Sequence, residues 1–193
     1  MPQLKWAQGG MSLIELLVAL VIASLGLLTL VALQAASLRY TRVTERRAVG
    51  SLLADDLLER LRANTTSQAG LSDYVYTTNF EGQAATPTAP ATACNDSQVT
   101  CTPAQMATAD LYQWRQSVRR LLPEGAVFTQ LNLDTSATPP TPEALDVWIA
   151  WRDPVLGQTA GIDLRPADEC PSGLGLASPA DDTVRCMHWR VRR

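Results

Sequence analysis

Between Leu16 and Leu38 the chain runs for 23 residues, LLVALVIASLGLLTLVALQAASL, without a charged side chain. At 1.5 Å per residue a helix of that length spans about 35 Å, enough to cross a hydrocarbon core of about 30 Å with some tilt. Ser24, Gly26, Thr29, Gln34 and Ser37 are scattered through it and mark out no amphipathic stripe. The run therefore reads as a membrane helix. A fully buried soluble helix is the alternative, and the rest of the chain is too small and polar to surround one. With 193 residues, 46% hydrophobic and 18% charged, the chain is not mainly disordered and has room for one ordinary domain beside the apolar run. Its 16 Lys+Arg against 19 Asp+Glu give a net charge of -3, which supplies no electrostatic reason to expect nucleic acid as a partner.

A secretory signal peptide places a small-residue cleavage site after a shorter apolar stretch. Here Gly9-Gly10 come before the apolar run, and Glu15 stands at its entrance. A carboxylate in a membrane helix costs about 2.5 to 3.5 kcal/mol at the centre and less near the end. Its favourable interaction with the helix N-terminus returns only about 0.3 to 1 kcal/mol. Glu15 therefore calls for a partner.

The stretch QGGMSLIELLVAL, from Gln8 to Leu20, resembles the class III signal of type IV prepilins: glycine, cleavage point, a hydrophobic residue, then glutamate at the fifth mature position. The resemblance implies that a prepilin peptidase cuts between Gly10 and Met11, that the new amine of Met11 is N-methylated, and that Glu15 meets the N-terminal amine of a neighbouring subunit during assembly. A buried carboxylate facing a buried ammonium removes the penalty each carries alone. Met11 stands where the family usually has Phe, and Lys5 is the only basic residue of the leader. Arg39, Arg42, Arg46 and Arg47 follow the run, so the positive-inside rule taken alone would leave the C-terminal domain in the cytoplasm.

Beyond the run, Val49, Leu53, Leu57 and Leu61 recur at helical spacing with Leu52 and Leu58 beside them, which predicts one continuous helix from about Ser12 to Arg62. Gly26 and Gly50 are its weak points. Asn64 to Cys101, with the low-complexity AATPTAPATA from Ala84 to Ala93, reads as an irregular surface loop. Thr102-Pro103-Ala104-Gln105 then opens a helix with Leu111, Trp114, Val118, Leu121 and Leu122 as its apolar face and Arg115, Arg119 and Arg120 outside it; Pro123 and Gly125 end it. After that the period becomes two: Val127 to Leu133, Leu145 to Trp151 and Met187 to Val191 read as strands, with Gly161 to Leu164 a possible fourth. The expected architecture is α+β, a type IV pilin-like fold with a long N-terminal helix on a small antiparallel sheet and one additional helix on the same face. The expected divisions are a leader at 1-10, a membrane and filament-core helix at 11-38, its amphipathic continuation at 39-63, and an exported domain at 64-193.

Cys94, Cys101, Cys170 and Cys186 all follow the apolar run, an even count that suggests two disulfides in an exported domain. Three pairings are possible, and local closure favours Cys94 with Cys101 and Cys170 with Cys186. A zinc site is disfavoured, since there is no C-x-x-C spacing and His188 is the only histidine. His188 alternates with core-type residues on a strand and reads as a surface residue, not a general base. No catalytic motif, metal set or cofactor cradle is present in the sequence: Gly173-Leu174-Gly175 is a turn signal, and Asp168-Glu169 and Asp181-Asp182 lack calcium-loop spacing. The triplets at Asn64 and Asn95 match a glycosylation sequon by chance-level criteria. Trp189, Arg190, Arg192 and Arg193 form a basic-aromatic end that reads as a strand edge guarded by charge.

Within the type IV pilin-like proteins, Glu15 to Leu33, Arg39-Tyr40-Thr41, LLADDLLERLRAN from Leu52, Trp114 to Pro123, LDVWIAWR from Leu145 and the closing Cys186 to Val191 resemble the type IV pilus modification proteins, which are minor pilins. That resemblance implies a non-enzymatic subunit of a tip complex that primes pilus assembly. Its implied partners are other minor pilins, the major pilin, prepilin peptidase, the inner membrane and a large adhesin, with no small-molecule substrate and no cofactor. It further implies single-pass anchoring with the C-terminal domain in the periplasm, then incorporation into the pilus. A minor pseudopilin of type II secretion and a DNA-uptake pilin are the alternatives.

Overall fold

The computed structural model describes residues 12-64, 68-95, 98-153, 169-176 and 183-192. The chain divides into two compact units, Met1–Arg42 and Val43–Arg193. In the first, residues 13-42 belong to helix α1, Leu13–Asn64, and every residue from Ser12 to Arg42 is exposed. The hydroxyls that interrupt the apolar run are satisfied inside the helix: Ser24 donates to the Val21 carbonyl at 2.8 Å and Thr29 to the Gly26 carbonyl at 2.8 Å. This is how they are carried in a hydrophobic segment without an unpaired polar group. Among the described residues α1 is the one helix long and apolar enough to cross a membrane.

In the second unit, α1 continues as far as Asn64 and is followed by helix α2, Pro103–Leu121, and strands β1, Ala126–Asp134, β2, Thr141–Arg152, and β3, Val184–Arg192. The strands form an antiparallel sheet in the order β1-β2-β3. Helix α2 begins where the sequence predicts, because Thr102 and Gln105 form a reciprocal capping box and Pro103 occupies the first turn. It stops before Gly125, where an added Cβ would lie 2.4 Å from the Val118 carbonyl oxygen, so only glycine lets the turn fold back this tightly. Leu53, Leu57 and Leu61 of α1, Leu111, Trp114 and Val118 of α2, and Val127, Leu145, Val147, Ile149 and Trp151 of the sheet make the main core. Each fully buried side chain of this size contributes about 1.5 to 3 kcal/mol. The Trp114 indole is buried without penalty because its Nε1 donates to the Leu53 carbonyl at 2.7 Å, tying α2 to α1.

Four expectations are corrected. The segment after Asn64 is not only a surface loop: short 3-10 helices occupy Gln68–Tyr74 and Glu81–Gln83, and Leu71, Tyr74, Phe80 and Gln83 are buried. Its polar composition hid these anchors because they are spaced irregularly. Leu121 is 53% exposed while Leu122 is buried, since α2 ends between them and the chain turns extended. The sheet is covered on both faces: Phe80, Ala126, Phe128, Ala150, Leu174 and Val184 form a second core opposite the helices. Phe128 blurs the alternation of β1 for that reason. Arg119 also turns inward, donating to the Gln83 and Ala84 carbonyls, and Arg115 lies over the Tyr76 ring at 4.0 Å. The possible strand at Gly161 to Leu164 lies outside the described residues.

Candidate assembly site

Helix α1 starts at Leu13, with the Ser12 carbonyl accepting from the Glu15 N–H at 3.0 Å and the Leu16 N–H at 3.2 Å. Glu15 thus sits in the first turn, where the unpaired N–H groups and the macrodipole favour an anion. Around it Leu13, Ile14, Leu16 and Leu17 are all exposed. Among the described residues no side chain bonds or ion-pairs with the Glu15 carboxylate. A carboxylate in an apolar ring can accept strong charge-assisted hydrogen bonds from an ammonium group, and is costly in a low dielectric without one. Gly10 and Met11 lie outside the described residues.

The second unit is held by covalent and ionic ties. Cys94 is bonded to Cys101 and Cys170 to Cys186, and no described cysteine is free. The second bond fastens β3 to the 3-10 turn Ser172–Leu174, whose Leu174 carbonyl accepts from the Phe80 N–H at 2.8 Å. Arg46 of α1 meets the carboxylate of Asp153 at 2.6 Å, and Asp153 is 1% exposed. At the other end, Tyr74 donates to Asp110 at 2.7 Å and accepts from Asn64 at 3.0 Å, and Arg60 reaches Asp56, Asp110 and Gln113. Burial and the bond to Asp110 push the Tyr74 phenol above the usual tyrosine range. It stays a neutral donor. On β2, Asp146 receives both nitrogens of Arg190 at 2.7 and 2.9 Å and lies 3.0 Å from His188 Nε2, while His188 stacks on Trp148 at 4.5 Å. His188 is therefore a half-exposed partner in an ion cluster. Sequence reading missed Asp110, Asp146 and Asp153, because an isolated acid among apolar residues gives no signal of which distant arginine or tyrosine it meets.

No group of three His, Cys, Asp or Glu side chains among the described residues could hold a metal ion. Of the acidic pairs, Glu169 faces Arg185 at 3.7 Å, and Asp168, Asp181 and Asp182 lie outside the described residues.

Comparison with known proteins gives two matches to family models, each over part of the chain. Residues 32–112 match the family model described as type IV pilin Tt1218, and residues 7–31 match the prokaryotic N-terminal methylation motif. No curated protein and no solved structure matches the chain. The matched segments join a type IV pilin domain to the methylation motif of prepilins, and together they support a pilin subunit. The motif implies processing by prepilin peptidase and assembly with other pilins, and with the apolar α1 it anchors the chain in the inner membrane before assembly into the pilus.

Proposed function

We propose that this chain is a pilin subunit, a minor pilin of the type IV pilus modification kind, acting in the tip complex that primes assembly and helps present an adhesin. In this reading residues 1-10 are removed, Met11 becomes the methylated N-terminus, residues 11-38 pass from the membrane into the filament core, 39-63 continue that helix, and 64-193 form the periplasmic domain. The single observation that carries the reading is Glu15, an acid in the first turn of α1 that meets no side chain among the described residues and precedes an exposed run, 16-38, without a charge. It stands four residues after Met11 in the sequence, so an axially shifted neighbour can bring its own amine to this carboxylate.

The test is incorporation. Glu15→Ala and Glu15→Gln should both leave membrane insertion and cleavage intact and lower recovery of the subunit with other pilins in sheared pili by about tenfold, the effect of losing roughly 1.4 kcal/mol at the contact. Wild-type recovery of both variants would remove the assembly role. A deletion strain that makes no pili until the wild-type chain is restored would place the chain in priming; normal piliation without it would remove the tip assignment.

A further inference from the structure

The two outer edges of the sheet are treated differently. On β1 the edge is closed. The Thr129 N–H donates to the Tyr76 carbonyl at 2.8 Å and the Tyr76 N–H returns the bond at 3.1 Å. The buried Gln83 amide does the same for Val127, accepting from its N–H at 3.0 Å and donating to its carbonyl at 2.8 Å. These bonds fix the parity of the ladder. Val127 and Thr129 point away from β2, so odd residues of β2 face β3. The Asp153 N–H, donating to the Thr183 carbonyl at 2.6 Å, shows the same parity directly. With β2 and β3 paired without a register shift from Arg152↔Val184 to Ala144↔Arg192, the main-chain N–H and C=O groups of His188, Arg190 and Arg192 all point out of the sheet. Among the described residues nothing bonds to those groups.

We propose that this outer edge of β3 is a strand-addition site whose occupant is an extended segment of another protein carrying acidic side chains at alternate positions. The charge along the strand selects the occupant. His188, Arg190 and Arg192 lie on one face of the strand at a spacing of about 6.8 Å, and β3 contains no acid. A second copy of this chain laid against β3 would set two such cationic rows side by side, which cross-strand pairing penalises. The inner neighbour already shows the chemistry that suits the row: β2 places Asp146 opposite Arg190 and Trp148 opposite His188. Arg192, 65% exposed, keeps donors beyond its single 3.3 Å contact with Glu143. On the other face Met187, Trp189 and Val191 are only half-buried although they pack on the main core, so apolar residues alternating with the acids would complete that row. Main-chain bonds would supply affinity and the two rows specificity. The opposing reading is that the arginines merely guard a bare edge.

The inference does not depend on the place of the subunit in a pilus. Its test uses the full chain in detergent micelles and a capped heptapeptide alternating valine and glutamate. With peptide at ten times its dissociation constant, amide hydrogen exchange in the 186-192 region should slow about tenfold. The same peptide N-methylated at alternate residues should give no protection, since it cannot bond to the edge. His188→Pro removes an outward N–H without touching the β2 ladder and should abolish protection, whereas His188→Ala, which loses the same contacts with Asp146 and Trp148 but keeps the N–H, should retain it. No slowing with the acidic peptide, equal slowing with a lysine-valine peptide, or protection already present in the chain alone would each overturn the proposal.

Discussion

At the scale of single residues, the second unit depends on acids that the sequence did not advertise. Burial by itself would raise the Asp146 carboxyl, but hydrogen bonds and charge from Arg190 and His188 reverse that and hold it below the usual carboxylate range. A depressed folded pKa means that stability is present above the unfolded value of about 3.9 and is lost as pH falls through the folded value. Thermal unfolding should therefore show wild type more stable than Asp146→Asn at pH 7, by about 1 to 3 kcal/mol, with the gap closing as pH is lowered below about 4. A constant gap from pH 7 to pH 2 would show that Asp146 acts through shape alone. Arg46 gives a sharper case. Its partner Asp153 is buried and 2.6 Å away, so Arg46→Ala takes a charged partner from a buried carboxylate and should lower stability in thermal unfolding by about 1 to 3 kcal/mol, with Arg46→Lys, which keeps the charge, losing less. From the sequence Arg46 read as one of four arginines with a topological role; the structure commits it to a carboxylate more than a hundred residues away.

At the scale of elements, what was readable followed from periodicity and capping. The long helix, the capping box at Thr102 and three strands each repeat a pattern over enough residues to average out exceptions. The 3-10 turns carrying Leu71, Tyr74, Phe80 and Gln83 repeat nothing, and their burial arises from contacts with β1 and α2 that no local pattern encodes. Gly50 illustrates the same limit. It reads as a weak point of α1, yet it is buried against the sheet, and a Cβ there would lie 3.6 Å from Met187, 3.7 Å from Trp151 and 3.8 Å from Trp189, all ordinary contacts. Gly50→Ala should therefore fit and raise stability by about 1 kcal/mol through helix propensity. Loss of stability in a melt of the full chain would mean that the helix needs to approach the sheet more closely than these distances indicate.

For the whole molecule, processing, topology and redox state form one chain of dependence. The proposed cut at Gly10-Met11 presupposes that this junction stays on the cytoplasmic side while the apolar run crosses the membrane. The two disulfides presuppose that everything from Cys94 onward reaches an oxidising compartment. Arg39, Arg42, Arg46 and Arg47 oppose that orientation under the positive-inside rule, so the redox state of the cysteines decides between the two. Thiol labelling of denatured, unreduced protein from living cells should accordingly find no reactive cysteine, and four labelled thiols would reverse the orientation. The bonds should also differ in weight. Cys94–Cys101 closes seven residues in an exposed segment, whereas Cys170–Cys186 closes 16 and holds β3 to the turn that seals the second core. On loop entropy the two differ by well under 1 kcal/mol, about 2.5 against 3. Removing the second also frees Leu174 and its bond to Phe80, so Cys170→Ser with Cys186→Ser should destabilise the domain clearly more than the other double variant. Equal losses in thermal unfolding would mean that the seal over the sheet holds without its covalent tie.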